Sequence, residues 1–242
     1  MEKRNVLRIF LLALVVVAAG SALGIGLAKI GAARRLTGVH APVAVSQTAA
    51  SDNRTLKEKA KKDGRITELV RPDRTKIYND LSEVAAASSD VVIGIPKENV
   101  TSLTPDGKSI SIDYQVEVQF VYKGKMQQGE IINVSLPGGR ILFPDGSMAE
   151  VRTPWFKKMQ EGKAYALFLQ QKNLGSKYVT VGQAQGIFEI PTTREDRTVK
   201  SHVGLMNDPM WKYQGMDVQN FIAEIKRATN FSAAKNRTKP QK

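Results

Sequence analysis

A long alternating segment, residues 110–122, most restricts what this chain can fold into. Every even-numbered position in it is apolar, and the positions between are mostly polar: Ser111, Asp113, Gln115, Glu117 and Gln119. Successive side chains of a strand point to opposite faces, so the pattern predicts one buried and one wet face. Turn-forming residues at 104–107 and 123–125 bound the segment. We predict a long antiparallel strand of a barrel or sandwich.

Shorter strand-like segments surround this one. The predicted strands cover residues 91–95, 130–136, 141–143, 148–152, 163–170, 177–181 and 186–190. Gly, Pro and Asp residues separate many of them, and residues 137–140 have the composition of a hairpin turn. Many short strands joined by such turns predict a mainly β fold, a small closed or nearly closed antiparallel barrel.

Two amphipathic helices are predicted on either side of the strands. Asp80 and Glu83 have capping-box spacing at the start of a short helix. Residues 217–229 have the periodicity of a longer, C-terminal helix. Its apolar face contains Val218, Phe221, Ile222 and Ile225. We expect this face to pack on the barrel, although docking of a partner is an alternative.

The first 31 residues have the features of a targeting segment. Basic residues precede an uncharged apolar run over residues 9–27, which predicts a hydrophobic helix. The whole run suits a single-span membrane anchor, whereas residues 9–19 followed by Gly20-Ser21-Ala22 suit a cleaved signal peptide. The first alternative predicts a domain held outside the cell membrane, and the second predicts a secreted or periplasmic protein. Lys3, Arg4 and Arg8 before the run match Lys29, Arg34 and Arg35 after it, so orientation is open.

The excess positive charge lies outside the predicted domain, residues 77–231. The chain has 36 Lys and Arg against 23 Asp and Glu, but the two kinds are equal in number within residues 77–231. Residues 32–76 are interpreted as a basic flexible linker with a transient helix around residues 55–62, and residues 232–242 as a basic disordered tail. Because nucleic-acid-binding domains carry their positive charge on the folded surface, we predict no nucleic-acid partner.

The chain contains no cysteine. Small exported domains often depend on disulfides, so this one must be stabilised by its core, and the predicted domain is long enough for that. Export without cysteine is typical of a bacterial protein.

Four short motifs carry a resemblance to a known family. They are residues 89–94 (SDVVIG), 121–124 (VYKG), 161–169 (EGKAYALFL) and 186–188 (GIF). Together they resemble the tissue-inhibitor-of-metalloproteinases/netrin-module superfamily, and they are similar to uncharacterised exported bacterial proteins with the same motif order. The resemblance implies an oligonucleotide/oligosaccharide-binding (OB) type barrel over residues 80–190. The family's inhibitors bind the zinc of their target enzyme through an N-terminal cysteine. Because this chain has no cysteine, the resemblance does not imply that mechanism here.

Few residues have spacing that points to catalysis. His40 and His202 are the only histidines and have no acid or thiol at ligand spacing, so we expect each to be hydrogen-bonded or exposed. Asp113 and Glu117 share a strand face but would lie about 13 Å apart, too far for a glycosidase pair. Gly20, Gly24 and Gly26 follow no strand and do not form a phosphate loop. We therefore predict no catalytic residue, metal or cofactor.

Four aromatic residues and two segments are candidates for ligand binding. Trp155, Phe156, Trp211 and Tyr213 are able to stack on a sugar or peptide, but aromatics near strand ends more often plug a barrel. The resemblance places ligands near residues 114–122 and the loop 136–143. The sequence predicts a tethered or exported non-enzymatic module that binds a protein or polysaccharide at the cell surface. The alternative is an exported hydrolase or protease inhibitor with an unrecognised site.

Overall fold

The computed structural model of the chain describes residues 53–70, 76–155, 157–172, 177–193 and 196–237, with side chains as far as residue 230. Its helices are α1 (Leu56–Asp63), α2 (Leu81–Ala87) and α3 (Val218–Arg237). Its strands are β1 (Arg65–Leu69), β2 (Asp90–Leu103), β3 (Ile110–Lys123), β4 (Ile131–Pro137), β5 (Gly139–Leu142), β6 (Met148–Arg152), β7 (Ala164–Gln171), β8 (Lys177–Thr180), β9 (Ile187–Ile190) and β10 (Lys200–Ser201). The fold is mainly β, as predicted. The predicted N-terminal hydrophobic helix lies outside the described residues.

The larger of two sheets forms a partly closed ring. Its strand order is β10-β9-β7-β2-β3-β4-β8, and β7 also pairs with β8, so β2, β3, β4, β8 and β7 close on one another. The pairing of β4 with β8 is parallel, whereas β7 and β8 pair antiparallel through Leu169–Gln171 and Tyr178–Thr180. The ring therefore encloses its apolar side chains between strands that are distant in the sequence.

The alternating segment forms β3, and its alternation is confirmed from Ile110 to Val118. Ile110, Ile112, Tyr114, Val116 and Val118 are all buried. The pairing then shifts, so that Gly94 lies opposite Val118 but Ile93 lies opposite Phe120. This irregularity is a β-bulge, which interrupts the alternation of faces. Phe120 is consequently half exposed although its position in the pattern is apolar.

Strand β2 is longer than predicted. Its buried start matches the predicted residues 91–95, but the strand continues to Leu103 and pairs with β3 along its length. The second half of β2 is mostly polar and is exposed or only partly buried, so apolar content alone does not reveal it. The backbone hydrogen bonds to β3 define it instead.

Helices α2 and α3 contribute to the main core. Asp80 caps α2 by accepting a hydrogen bond from the Glu83 amide at 2.9 Å, as predicted, but the Glu83 carboxylate accepts from the Asn79 amide and not from Asp80, so the capping box is half formed. Of the predicted inward faces, Leu81, Val84 and Ala85 of α2 and Phe221 and Ile225 of α3 are buried, and Val218 and Ile222 are partly buried against the same core. The α3 face thus packs on the rest of the domain.

The predicted flexible linker is wrong for residues 53–70. Thr55 and Glu58 form a capping box at the start of α1, and Leu56 and Ala60 are fully buried. Strand β1 pairs in parallel with β6, which also pairs with β5 to complete a three-stranded sheet. One side of this sheet covers a second core made of Leu56, Ala60, Ile110, Phe143, Ala149 and Val151. The domain therefore begins before residue 77.

The predicted hairpin at residues 137–140 is also wrong. Strand β4 ends at Pro137 in the large sheet and β5 begins at Gly139 in the small sheet, so the segment joins two sheets. Gly138 and Gly139 have φ values of 112° and 131°, which favour glycine. A Cβ on Gly139 would lie 2.6 Å from Thr101 Cγ2, so the crossing also requires a residue without a side chain.

Helix α3 extends beyond the predicted end of the domain. Asp217 accepts a hydrogen bond from the Gln219 amide at 2.9 Å, and the helix continues to Arg237. Residues 232–237 are thus helical, not disordered as predicted, because residues such as Ala233 and Ala234 favour helix over coil. Across the described part of the chain, no helix combines the length and apolarity needed to cross a bilayer.

Candidate ligand-binding site at the mouth of the ring

One end of the ring opens into a polar cleft of about 670 Å³, which we call the mouth. The starts of β2 and β8, the ends of β3 and β7, and the residue before β4 surround it. Its polar side chains include Asp90, Lys123, Lys125, Glu130, Gln171 and Tyr178. Clefts of roughly this size and position in barrel-like folds are where small ligands bind.

Two of the sequence motifs line the mouth, and a third is hydrogen-bonded to the first of them. The Ser89 hydroxyl donates to Asp90 Oδ2 at 2.6 Å, and the Lys125 amide donates to Asp90 Oδ1 at 3.2 Å. The Ser89 amide donates to the Leu169 carbonyl at 2.8 Å, which ties β2 to the third motif. Gly124 has φ +108°, and a Cβ there would overlap the Asp90 carboxylate. These residues therefore hold the strand ends in place.

Lys123 is held between two carbonyl groups at the end of α2. Its ammonium donates to the Ala85 and Ser88 carbonyl oxygens, each at 2.6 Å. The carboxyl end of a helix carries unsatisfied carbonyls and partial negative charge, so a cation is favoured there. Burial lowers the pKa of Lys123, and the nearby Asp90 charge opposes that effect. Lys123 thus fixes α2 to the mouth.

Tyr178, Lys125 and Glu130 supply polar groups of three kinds around the opening. Burial raises the pKa of Tyr178, and the charges of Asp90 and Glu130 raise it further, so the phenol remains a hydrogen-bond donor near neutral pH. The Glu130 carboxylate accepts from the Gln127 amide at 2.9 Å. A hydroxyl, an ammonium and a carboxylate around one cleft are able to bind a hydroxyl-rich ligand through both donors and acceptors.

His202 lies in the core, away from the mouth. Its side chain is buried, its Nδ1 lies 2.8 Å from the Lys157 carbonyl, and its ring contacts the Tyr165 ring edge-on at 5.2 Å between centroids. Burial lowers the pKa of His202 to about 4. It is the hydrogen-bonded histidine that we expected. His40 lies outside the described residues.

Asp113 and Glu117 occupy the outer face of β3, and each has a different lysine partner. Asp113 pairs with Lys177 at 2.7 Å and Glu117 with Lys97 at 2.6 Å. A hydrogen bond from Lys97, followed by one from Gln119, lowers the pKa of Glu117. The two carboxylates are thus separate surface ion pairs.

The candidate aromatic residues do not converge on one site. Trp155 Nε1 donates to the Val70 carbonyl at 2.8 Å, which joins it to the end of the small sheet. Tyr213 is buried against Phe188 and Phe221, and its hydroxyl accepts from the Leu81 amide at 3.2 Å. Tyr213 therefore plugs the core, as expected. Trp211 lies on the same short 3₁₀ segment, and Phe156 lies outside the described residues.

The two predicted ligand-binding segments coincide only in part with a cleft. In residues 114–122, Tyr114, Val116 and Val118 point into the core. In residues 136–143, Leu136 and Pro137 border a groove of about 580 Å³ together with Ser111, Ser135 and Lys177. The mouth was not predicted as a site, although its residues Asp90, Lys123 and Gly124 belong to the quoted motifs. Those motifs are therefore the sequence signal that points to the mouth.

The described residues hold no group of three or more His, Cys, Asp or Glu side chains placed to bind a metal ion. Comparison with protein-family models gives no match, and comparison with curated protein sequences also gives none.

Proposed function

We propose that the chain is a non-enzymatic binding module, exported or membrane-tethered through its N-terminal segment, which binds a cell-surface polysaccharide at the mouth. The observation that carries the proposal is the convergence of polar side chains from all parts of the ring on one open cleft. Polysaccharides present many hydroxyl groups, each able to donate and accept a hydrogen bond. The mixed donors and acceptors of the mouth match that chemistry.

The hydrogen bonds that Asp90 and Lys123 already make within the protein favour binding over catalysis. Asp90 accepts bonds from a hydroxyl and a backbone amide, and Lys123 donates to two carbonyls. General acid–base catalysis needs a group that exchanges its proton with the substrate at hydrogen-bond distance. Groups held by several local bonds are better suited to keeping a binding surface in one shape.

The fold of the ring is part of the same proposal. We infer an OB-like barrel, because its ring has five strands, is only partly closed and has its cleft at one end. The motifs that resemble the tissue-inhibitor-of-metalloproteinases/netrin-module superfamily support this assignment, since they lie at the strand ends that hold the ring together. The basic and apolar N-terminal segment supports localisation outside the cytoplasm, and export without cysteine supports a bacterial source.

The test is a calorimetric titration of the full chain, solubilised in detergent, with fragments of bacterial cell-envelope polysaccharides. Saturable binding is expected for one class of fragment. Tyr178→Phe should weaken it about fivefold through the loss of one hydrogen bond. Lys125→Ala should weaken it as well. Tyr78→Phe and Lys108→Ala make the same chemical changes outside the mouth and should leave the affinity unchanged.

Two results would contradict the proposal. Absence of saturable binding across the panel would remove the polysaccharide as ligand. Appearance of cleaved fragments, measured by mass spectrometry after incubation, would support the alternative of a hydrolase.

A further inference from the structure

The outer side of the small sheet is rich in arginine. Strand register places Arg65 opposite Met148, Leu69 opposite Arg152, and Arg140 opposite Glu150. We call this side the arginine face, and it consists of Arg65, Thr67, Leu69, Arg140, Leu142, Met148, Glu150 and Arg152. Alternate residues of the same strands, such as Ile66, Ala149 and Val151, contact the second core on the opposite side. The arginine face therefore points away from the protein interior.

Three guanidinium groups of this face surround one carboxylate. Glu150 lies 3.1 Å from Arg152, 3.3 Å from Arg140 and 3.7 Å from Arg65. The hydrogen bond from Arg152 lowers the pKa of Glu150, with Arg140 adding to the effect. The three positive charges of the arginines therefore exceed the single negative charge of Glu150. Each arginine side chain is also 51–57% exposed, so the excess faces solvent.

Apolar side chains lie among these charges. Leu142 is 72% exposed and Leu69 is 51% exposed. Leu142 lies opposite Met148, which is partly exposed, at one end of the face, and Leu69 lies beside Arg152 at the other. The face thus combines excess positive charge with aliphatic groups at both ends.

We propose that the arginine face docks on the surface of an anionic lipid bilayer. Guanidinium groups bind lipid phosphates in a bidentate manner, and leucines next to them enter the boundary between headgroups and acyl chains. Negative lipid attracts the excess charge by about 1 kcal/mol for each basic residue near the surface. An acidic protein or nucleic acid satisfies the charges but gives the exposed leucines less apolar surface to contact.

This inference rests on the proposed N-terminal tether, which would keep the domain close to a bilayer. A tethered surface needs little intrinsic affinity, because tethering raises its effective concentration at the membrane. Docking through β1, β5 and β6 would then set how the domain lies on the membrane.

The experiment exploits the absence of cysteine from the chain. A Leu142→Cys variant of the full chain, labelled on its thiol with an environment-sensitive dye, is mixed with vesicles of phosphatidylcholine alone or with added phosphatidylglycerol. We expect a blue shift of emission only with the anionic vesicles, and we expect added salt to reverse it. Insertion of the N-terminal segment is scored separately by resistance to alkaline extraction. Failure of the tether and failure of docking are therefore distinguishable.

Substitutions at Arg65 test the charge without unfolding the sheet. Its 3.7 Å contact with Glu150 is the longest of the three, so its loss disturbs the carboxylate least. Arg65→Gln should weaken the dye response about fivefold, whereas Arg65→Lys should retain most of it. Lys226→Gln removes an equal charge from α3 and should have no effect. Leu69→Ser, at an exposed position, should weaken the response through the apolar contact.

Several outcomes would overturn the proposal. Equal blue shifts with neutral and anionic vesicles would show that charge plays no part. An unchanged response in both Arg65→Gln and Leu69→Ser would remove the arginine face from the contact. A response to soluble polyglutamate but not to anionic vesicles would identify an acidic protein as the partner instead.

Discussion

Asp90 and Gly124 are mutually dependent: the Asp90 carboxylate occupies the space that any side chain on Gly124 would need. Gly124 also has φ +108°, which other residues rarely adopt. The pair joins the start of β2 to the end of β3 at the mouth. This relationship explains why an aspartate and a distant glycine occur in the two motifs.

Gly124→Ala should destabilise the fold by more than about 2 kcal/mol, because it adds steric overlap to backbone strain. Chemical denaturation measures the loss. Gly129→Ala is the matched control, since Gly129 also has a positive φ, +84°, but nothing lies within 4 Å of its Cβ position. That variant should lose only about 1 kcal/mol. Adding Asp90→Ala to Gly124→Ala should recover part of the stability, and strict additivity of the two losses would refute the steric explanation.

Phe221→Ala should destabilise the domain by about 3–5 kcal/mol, because it leaves a cavity in the main core. Phe221 is fully buried, and its ring centroid lies 4.9 Å from that of Phe188. Phe120→Ala removes the same group from a half-exposed position and should cost far less. Thermal unfolding of both variants checks the prediction. Equal losses would mean that α3 does not pack as described.

Removal of residues 1–76 should expose the second core and produce an aggregating protein. Leu56 and Ala60 of α1 are fully buried there, and β1 is a hydrogen-bonded neighbour of β6. Removal of residues 1–52 alone retains α1 and β1 and should give a soluble protein. Size-exclusion chromatography and amide exchange in β6 compare the two truncations. A monomeric, cooperatively unfolding protein that begins at residue 77 would contradict the role given to α1.

Stability should fall as the pH is lowered from about 6.5 towards 4. Burial lowers the pKa of His202 to about 4, whereas an unfolded histidine titrates near 6.5. Between these values the unfolded chain binds the additional proton, so acid favours unfolding by up to about 3 kcal/mol. Urea midpoints at several pH values measure the slope. His202→Gln should show a smaller slope over this interval, and an undiminished slope would assign the pH dependence to other groups.

The sequence predicted those elements whose residues carry a local pattern. The alternation in residues 110–122 identified β3, and the Asp80–Glu83 spacing identified the start of α2. The bulge near Phe120 was missed, because an extra residue in one strand is defined only by its pairing with the other. The polar half of β2 was missed for the same reason.

Tertiary partners account for the remaining differences. The highly charged sequence of α1 and β1 is typical of a linker and predicts at most a transient helix over residues 55–62, whereas the stability of both elements comes from β6 and the second core. Gly138 and Gly139 indicated a turn but not that the chain would pass from one sheet to the other. The mouth was missed because Asp90, Lys123 and Tyr178 meet only when the ring closes.

The parallel pairing of β1 with β6 has a consequence for the order of folding. Arg65 pairs with Met148, and strands β2 to β5 all lie between these two residues in the sequence, so the contact closes a long loop. Closing a long loop is entropically costly until intervening contacts shorten it, which hairpin β2–β3 does. We therefore expect the ring to nucleate first and the small sheet to form last. Strand β1, the first in the described part of the chain, would be among the last to join the native structure.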